Sequence, residues 1–297
     1  MRLSRNDQVF RVIVYIILIV ITFCTLYPFW NALVISFNVG SNTNLGHITF
    51  WPRKFTLENY DYVFHDSSLF RAFMVSAGRT VIGTFLSIFL TAMLGYGMSR
   101  KELMGKRFYM VLCIITMYFG GGLIPWFMLL RSMGLMNNYL VMIVPYLIGV
   151  WNMIIFRTFF QGLPEGLEEQ AQIDGCGYFQ TFVKVVIPIS KPVLATLALF
   201  SAVWHWNQWF DAAIFFTKDY MMPVKSKLMN ILNSSIMQEQ LAQMGPSAQE
   251  FASRMTSVTS KSLIMATTIV TAAPVIMIYP FVQKYFTKGV LVGSIKG

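Results

Sequence analysis

Six apolar stretches, each long enough to cross a lipid bilayer, constrain the fold of this chain more than any other feature. A helix crosses the hydrocarbon core with about 20 predominantly apolar residues. The stretches comprise residues 12–36, 75–98, 108–130, 140–156, 193–216 and 262–281. Because lipid offers the backbone no hydrogen-bond partners, such segments must be helical. We therefore predict an all-α integral membrane protein, with residues 1–297 forming a single transmembrane domain of about six helices.

The charge content agrees with a membrane protein and argues against a nucleic-acid partner. Only 12% of the residues are charged, against about 25% in soluble domains. The net charge of +10 comes from Lys and Arg residues that lie between the apolar stretches and do not cluster on one polar face. The three cysteines have no metal-ligand spacing, so no metal site is expected.

The distribution of Lys and Arg predicts the orientation of the chain. With the N-terminus inside, the cytoplasmic segments carry 13 basic residues and the outer segments carry 9. Basic residues favour the cytoplasmic side, so both termini are predicted to be cytoplasmic. A polar loop at 157–192 then lies inside, and one at 217–261 lies outside. In the outer loop, helical spacing of Leu228, Ile231, Leu232, Ser235 and Ile236 predicts a short amphipathic helix.

The sequence of the loop at 157–192 predicts a helical hairpin. Pro164 is suited to the first turn of a helix, where its missing N–H is not needed. Gly175 and Gly177 interrupt the helix, and a second helix follows from Tyr178 until Pro188 ends it. An exposed hairpin that carries apolar side chains needs a partner to cover it.

Within this hairpin the sequence resembles the signature of permease subunits of ABC importers. That signature is Glu-Ala-Ala, three residues, Gly, nine residues, Ile, one residue and Leu-Pro. The same spacing is kept by Glu169-Gln170-Ala171, Gly175, Val185 and Ile187-Pro188, with Gln170 in place of the first Ala and aliphatic swaps at Val185 and Ile187. The pair Asp174-Gly175 matches a common extension of the signature.

Other segments resemble the carbohydrate, maltose-like branch of these permeases. They are the run Phe119-Gly120-Gly121-Gly122 leading to Pro125, the pair Trp206-Asn207, and the closing residues 288–297. Within that branch the chain is similar to the smaller permease of complex-oligosaccharide importers of the alginate and rhamnogalacturonan types. The resemblance covers nearly the whole length.

The resemblance implies a type I ABC importer permease in a bacterial cytoplasmic membrane, working by alternating access. Expected partners are a second permease in a heterodimer, two cytoplasmic ATPase subunits, an extracytoplasmic solute-binding protein and an oligosaccharide. The hairpin would dock in a cleft of the ATPase, where Glu169 would pair with a basic residue and Gly175 would permit the tight turn. The residues expected to couple the two subunits are Glu169, Ala171, Asp174, Gly175, Ile187 and Pro188.

The chain itself is not expected to be an enzyme or to bind a cofactor. No G-x-x-x-x-G-K-[ST] phosphate loop occurs, so ATP and Mg are expected on the separate ATPase. An intramembrane enzyme is disfavoured because neither H-E-x-x-H nor G-x-S-x-G is present. A secondary transporter is disfavoured because no row of intramembrane carboxylates is available for ion coupling. A permease for a non-sugar solute remains an alternative.

Polar residues at membrane depth are costly and are often functional. By helical spacing, Trp204, Asn207, Gln208 and Asp211 are predicted to share one face of the fifth helix. The candidate substrate pathway consists of Arg79, Trp204, Trp206, Asn207, Gln208 and Asp211. Aromatic faces and amide or carboxylate groups suit a sugar, but Asn and Gln also join neighbouring helices.

Arg79 has three possible roles: it pairs with Asp211, faces an aqueous cavity, or extends to the membrane interface. Together with Arg71 and Arg131 it lies in the predicted outer half of the chain. Fixed positive charge there would favour an acidic, uronate-containing oligosaccharide, because an anion that enters a low-dielectric cavity needs its lost hydration replaced. The resemblance points to the same class of substrate.

Overall fold

The computed structural model describes residues 5–43, 45–164, 166–243 and 261–294. Their regular structure is helical, apart from one antiparallel bridge between Asn38 and Phe55. The α-helices are α1 Arg5–Ser36, α2 Gly40–Thr43, α3 Glu58–His65, α4 Ser67–Ser99, α5 Lys106–Tyr118, α6 Leu123–Ser132, α7 Val150–Gln161, α8 Gly166–Ile173, α9 Tyr178–Thr181, α10 Ile187–Ile189, α11 Lys191–Asn207, α12 Phe210–Phe215, α13 Val224–Gln243 and α14 Lys261–Ser294. Shorter helical turns are Tyr139–Met142, Val144–Tyr146, Asp219–Met221 and the π-helix Phe182–Val186.

The helices supply up to six membrane crossings among the described residues. Three single helices are long and apolar enough, at Asn6–Ser36, Ser67–Ser99 and Lys261–Ile278. Three further crossings are possible if each pair of helices joined by a bend counts as one span. The predicted all-α fold class with about six spans is therefore confirmed.

Two of the predicted spans are bent, and a third is preceded by a sharp bend, which the apolar runs did not indicate. The span predicted at 108–130 bends by 111° between α5 and α6. Gly121 and Gly122 lie in this bend with φ of 42° and 90°, a region that favours glycine. The span predicted at 140–156 bends by 45° before α7, and the helix preceding the fifth span meets α11 at 86°.

The second helix of the hairpin ends one residue beyond Pro188, within the precision of a helix boundary, and contains an irregular turn. It continues through the π-helical turn to Ile189, and Ser190 separates it from α11. A proline disturbs a helix through the residues that precede it, and the irregular turn at Phe182–Val186 directly before α10 accommodates that disturbance. The helix expected in the outer loop corresponds to α13, whereas residues 244–260 of that loop lie outside the described residues.

By its contacts the chain divides into two compact units. The first comprises Met1–Phe70 and Leu228–Ala273. Its side chains are joined by polar contacts such as the hydrogen bond between the hydroxyls of Thr43 and Ser262 (2.6 Å), and by a small apolar core around Val63, Leu69 and Ala266.

The second unit comprises Arg71–Lys227 and Pro274–Gly297 and contains the larger cores. One core joins α4, α7, the hairpin and α11 through Ile88, Ala92, Tyr96, Phe156, Phe160, Phe182, Val186 and Leu197. Here α4 approaches α7 closely at Gly95, where a Cβ atom would lie 2.8 Å from Phe156 Cβ and 3.2 Å from the Met153 carbonyl oxygen. Small residues permit this approach between membrane helices.

Candidate functional site: a buried ion pair and a helical hairpin

A buried ion pair joins α4 to α12 within the second unit. Arg79 Nη1 donates to Asp211 Oδ1 (3.0 Å) and to the Gln208 carbonyl oxygen (3.1 Å), while Nη2 contacts Asp211 Oδ2. Both charged side chains are fully buried. Asp211 Oδ1 also accepts from the Ala212 N–H at 2.7 Å. This two-pronged geometry is the strong form of an Arg–carboxylate contact.

The ion pair depends on a break in the fifth span. Helix α11 ends at Asn207, and Gln208 has extended backbone with ψ of 126°. The Gln208 carbonyl oxygen, freed from helical bonding, is satisfied by Arg79 instead. In a membrane such a freed group needs a partner of this kind. The prediction that Trp204, Asn207, Gln208 and Asp211 share one helix face is therefore wrong, because Asp211 lies on a separate helix.

The other candidate pathway residues on α11 differ in their surroundings. Trp206 is buried against Ala72 and Val224. Trp204 is 41% exposed, and its ring centroid lies 4.6 Å from that of Tyr146. Asn207 is exposed and donates from Nδ2 to the Val203 carbonyl oxygen within its own helix at 2.9 Å.

At the hairpin, Gly175 closes α8 in a left-handed conformation with φ of 79°. The Cys176 N–H donates to the Ala171 carbonyl oxygen (2.9 Å) and the Gly175 N–H to the Gln172 carbonyl oxygen (3.0 Å). These two bonds form a Schellman motif, which satisfies the last carbonyls of a helix and reverses the chain.

The coupling residues expected from the resemblance divide into exposed and packed positions. Glu169, Asp174, Gly175 and Pro188 are exposed, Ile187 is half-buried, and Ala171 is buried. Glu169 lies beside a polar crevice of about 390 Å³ that is also lined by Lys101, Glu102 and Gln172. The exposed carboxylate of Glu169 is thus accessible to a partner.

Residues that the sequence analysis missed hold the hairpin against the end of α4. Arg100, one residue beyond α4, forms an ion pair with Glu168 of α8, and the two side chains are 20% and 10% exposed. The guanidinium also lies 5.1 Å from the ring centroid of Tyr96. Tyr96 in turn stacks on Phe182 of the π-helix at 5.4 Å. The end of α4 therefore contacts both arms of the hairpin.

Comparison with known proteins identifies the family. A family model described as "Binding-protein-dependent transport system inner membrane component" matches residues 2–292. The chain belongs to this family. It is accordingly a permease of the ABC transporter class and an inner-membrane component, which confirms the resemblance seen in the hairpin signature.

Two relatives and one solved structure show which transporters this chain is similar to. The chain is 35% identical over 293 residues to the "Polygalacturonan/rhamnogalacturonan transport system permease protein YtcP" of Bacillus subtilis, covering 98% of this chain and 100% of the relative. It is 34% identical to "Protein LplC" of the same organism, over 92% of this chain and 90% of the relative. A crystal structure of a bacterial ABC transporter involved in the import of the acidic polysaccharide alginate superposes with a TM-score of 0.82 at 28% identity, over 96% of this chain and 99% of that chain.

Among the described residues, no group of three or more His, Cys, Asp and Glu side chains is placed to hold a metal ion.

Proposed function

We propose that this chain is one permease subunit of an ATP-driven importer of oligosaccharides that contain uronate units. The observation that carries the proposal is the full-length likeness to a permease named for polygalacturonan and rhamnogalacturonan transport. The structural similarity to a transporter involved in the import of alginate, a second acidic polysaccharide, supports the same class of substrate.

The ion pair changes the physical basis of the uronate proposal. Arg79 is buried and bound by Asp211 and Gln208, so its guanidinium is not free to bind a substrate carboxylate. Arg71 and Arg131 are exposed and keep their charge available. The proposed preference for an acidic oligosaccharide therefore depends on the similarity to the relatives and on exposed cations. Arg79 instead holds α4 against the break before α12.

Coupling to ATP hydrolysis is the second part of the proposal. The hairpin faces the cytoplasm and docks in a separate ATPase subunit, which binds ATP and Mg. Glu169 provides an exposed carboxylate for a basic residue of that subunit, and the turn at Gly175 sets the angle between the two arms. A second permease completes the pathway, and a solute-binding protein delivers the sugar from outside.

The substrate is tested with the intact assembly. The tagged chain is purified from its host membrane in mild detergent together with its partners, and the complex is placed in lipid nanodiscs. Stimulation of ATP hydrolysis is measured with the cognate binding protein and a panel of galacturonate oligomers, neutral oligosaccharides of equal length, and non-sugar solutes. Stimulation by the galacturonate oligomers is expected. Stimulation only by neutral sugars would remove the uronate proposal, and stimulation only by a non-sugar solute would remove the carbohydrate proposal.

The orientation is tested by labelling from one side of the membrane. With Cys24, Cys113 and Cys176 replaced, a single cysteine introduced as Gln172→Cys should react with an impermeant thiol reagent only in inside-out vesicles. The matched variant Gln243→Cys should react only in right-side-out vesicles. The reverse pattern would place the hairpin outside and would contradict its contact with the ATPase.

A further inference from the structure

A cavity of about 310 Å³ in the second unit is lined by Trp204, a candidate pathway residue, and by polar side chains that have no role so far. Its polar and aromatic lining residues are Ser87, Tyr146, Asn152, Phe200, Ser201, Trp204 and His205. They come from α4, the turn before α7, α7 and α11, all of them parts of predicted membrane spans. The volume lies at the lower end of the roughly 300–1,000 Å³ typical of small-molecule sites.

His205 lines this cavity and carries an unsatisfied polar atom. Its side chain is buried, with 1% of the residue exposed, and Nδ1 has no hydrogen-bond partner among the described residues. The imidazole lies against the backbone of Gly83, where a Cβ atom would be 2.7 Å from Cε1 and 2.8 Å from Nε2. A buried polar atom without a partner is unfavourable, so a ligand that turned this ring toward the cavity and supplied a hydrogen bond would stabilise it.

The remaining lining residues combine an aromatic wall with neutral hydrogen-bonding groups. Trp204 and Tyr146 form the wall, with their rings in an edge-to-face arrangement. Ser87, Asn152 and Ser201 supply two hydroxyls and one amide. No Asp, Glu, Lys or Arg lines this part of the described structure.

We propose that this cavity is a contact site for one pyranose ring of the transported oligosaccharide. A sugar ring has apolar C–H faces that can lie on Trp204 and hydroxyls that can bond to Asn152 and Ser201. A lipid acyl chain would leave those polar groups unsatisfied. Because no ionic side chain lines the cavity, the site recognises ring faces and hydroxyls, and the bound ring keeps its uronate carboxylate outside the cavity, where the charge stays hydrated. The inference rests on the proposed function and adds a site in this subunit.

The test measures occupancy directly. In the complex with its native cysteines replaced, a cysteine is introduced at the cavity wall as Ser201→Cys, and a matched one is introduced as Thr196→Cys on the same helix. Thr196 bonds within its own helix to the Pro192 carbonyl oxygen and does not line the cavity. During turnover with the binding protein, trigalacturonate should slow thiol labelling at position 201 by about fivefold or more and leave position 196 unchanged.

A second measurement separates binding from folding. Asn152→Leu should raise the trigalacturonate concentration needed for half-maximal ATPase stimulation about fivefold, as expected for the loss of one hydrogen bond. The maximal stimulated rate at saturating sugar should be retained in Asn152→Leu, and Thr196→Val, outside the cavity, should leave both hydrolysis without sugar and the half-maximal concentration unchanged.

The outcomes distinguish this inference from the proposal on which it rests. If trigalacturonate stimulates the wild-type complex but neither protects position 201 nor is affected by Asn152→Leu, the site is wrong and the substrate class stands. Slower labelling in nanodiscs than in detergent, with no effect of sugar, would make the cavity a lipid groove and overturn the inference. If neither trigalacturonate nor a neutral trisaccharide stimulates the wild type, the proposed function fails and the site fails with it.

Discussion

Removing the charge of Asp211 should destabilise the protein strongly. Asp211→Asn keeps the shape of the side chain but leaves the Arg79 guanidinium as an uncompensated charge, and both side chains are fully buried. Breaking a buried pair from one side costs about 3–5 kcal/mol. Because neither side chain reaches solvent, no screening by water reduces that figure.

Removing both charges should restore most of the stability that Asp211→Asn loses. In Arg79→Met combined with Asp211→Leu, no buried charge remains, and apolar replacement of a buried pair is often neutral or stabilising. The Gln208 carbonyl oxygen loses its donor in this variant. A loss of about 1–3 kcal/mol is therefore expected for that unpaired group.

The assay is reversible unfolding of the purified chain in mixed micelles, followed by helical circular dichroism as the fraction of dodecyl sulfate rises. A surface pair in the same unit, Lys227 with Asp219 at 2.7 Å, serves as the control. Asp219 is 73% exposed, so Asp219→Asn should cost less than about 1 kcal/mol. If the double variant loses as much stability as Asp211→Asn alone, or more, the two residues do not interact as described and the argument is refuted.

Three further variants test the packing of α4 and of the hairpin. Gly95→Ala should lower stability in the same assay by about 1–3 kcal/mol through overpacking, whereas Gly97→Ala, which meets no atom within 4 Å, should not. Gly175→Ala places a side chain at φ of 79° and should weaken the hairpin by about 1–2 kcal/mol, seen as a smaller yield of ATPase on co-purification; an undiminished yield would contradict this. Glu168→Gln should weaken the contact with Arg100 and reduce sugar transported per ATP, and an unchanged ratio would count against a role in coupling.

The sequence predicted the number and approximate positions of the spans because run length alone determines whether a helix can cross a bilayer. It did not predict the bends, because a straight helix and a broken one can have the same run of apolar residues. The 111° bend between α5 and α6 had a local signal in Gly121 and Gly122, whose positive φ breaks the helix. The break at Gln208 has no such signal, because it depends on Arg79, which lies 129 positions earlier in the chain.

The difference between local and tertiary information also explains which site residues the sequence could predict. Asp211 was named as a possible partner of Arg79 because opposite charges at membrane depth need each other. The helical-face argument failed because periodicity assumes one continuous helix. Glu168 and Arg100 were missed for a different reason: each lies in a polar segment where charge is ordinary, and only the tertiary fold brings the two together.

Helix α4 connects the ion pair, the cavity and the hairpin within the second unit. Arg79 binds the break before α12, Ser87 lines the cavity, and Arg100, just past the helix end, binds the hairpin. The rise of about 1.5 Å per residue places Arg79 and Arg100 roughly 30 Å apart along the axis, which is about the thickness of the hydrocarbon core. Close packing at Gly95 leaves no space for the hairpin end of α4 to move independently of α7. We therefore expect a displacement of the hairpin to reach the ion pair and the cavity through α4.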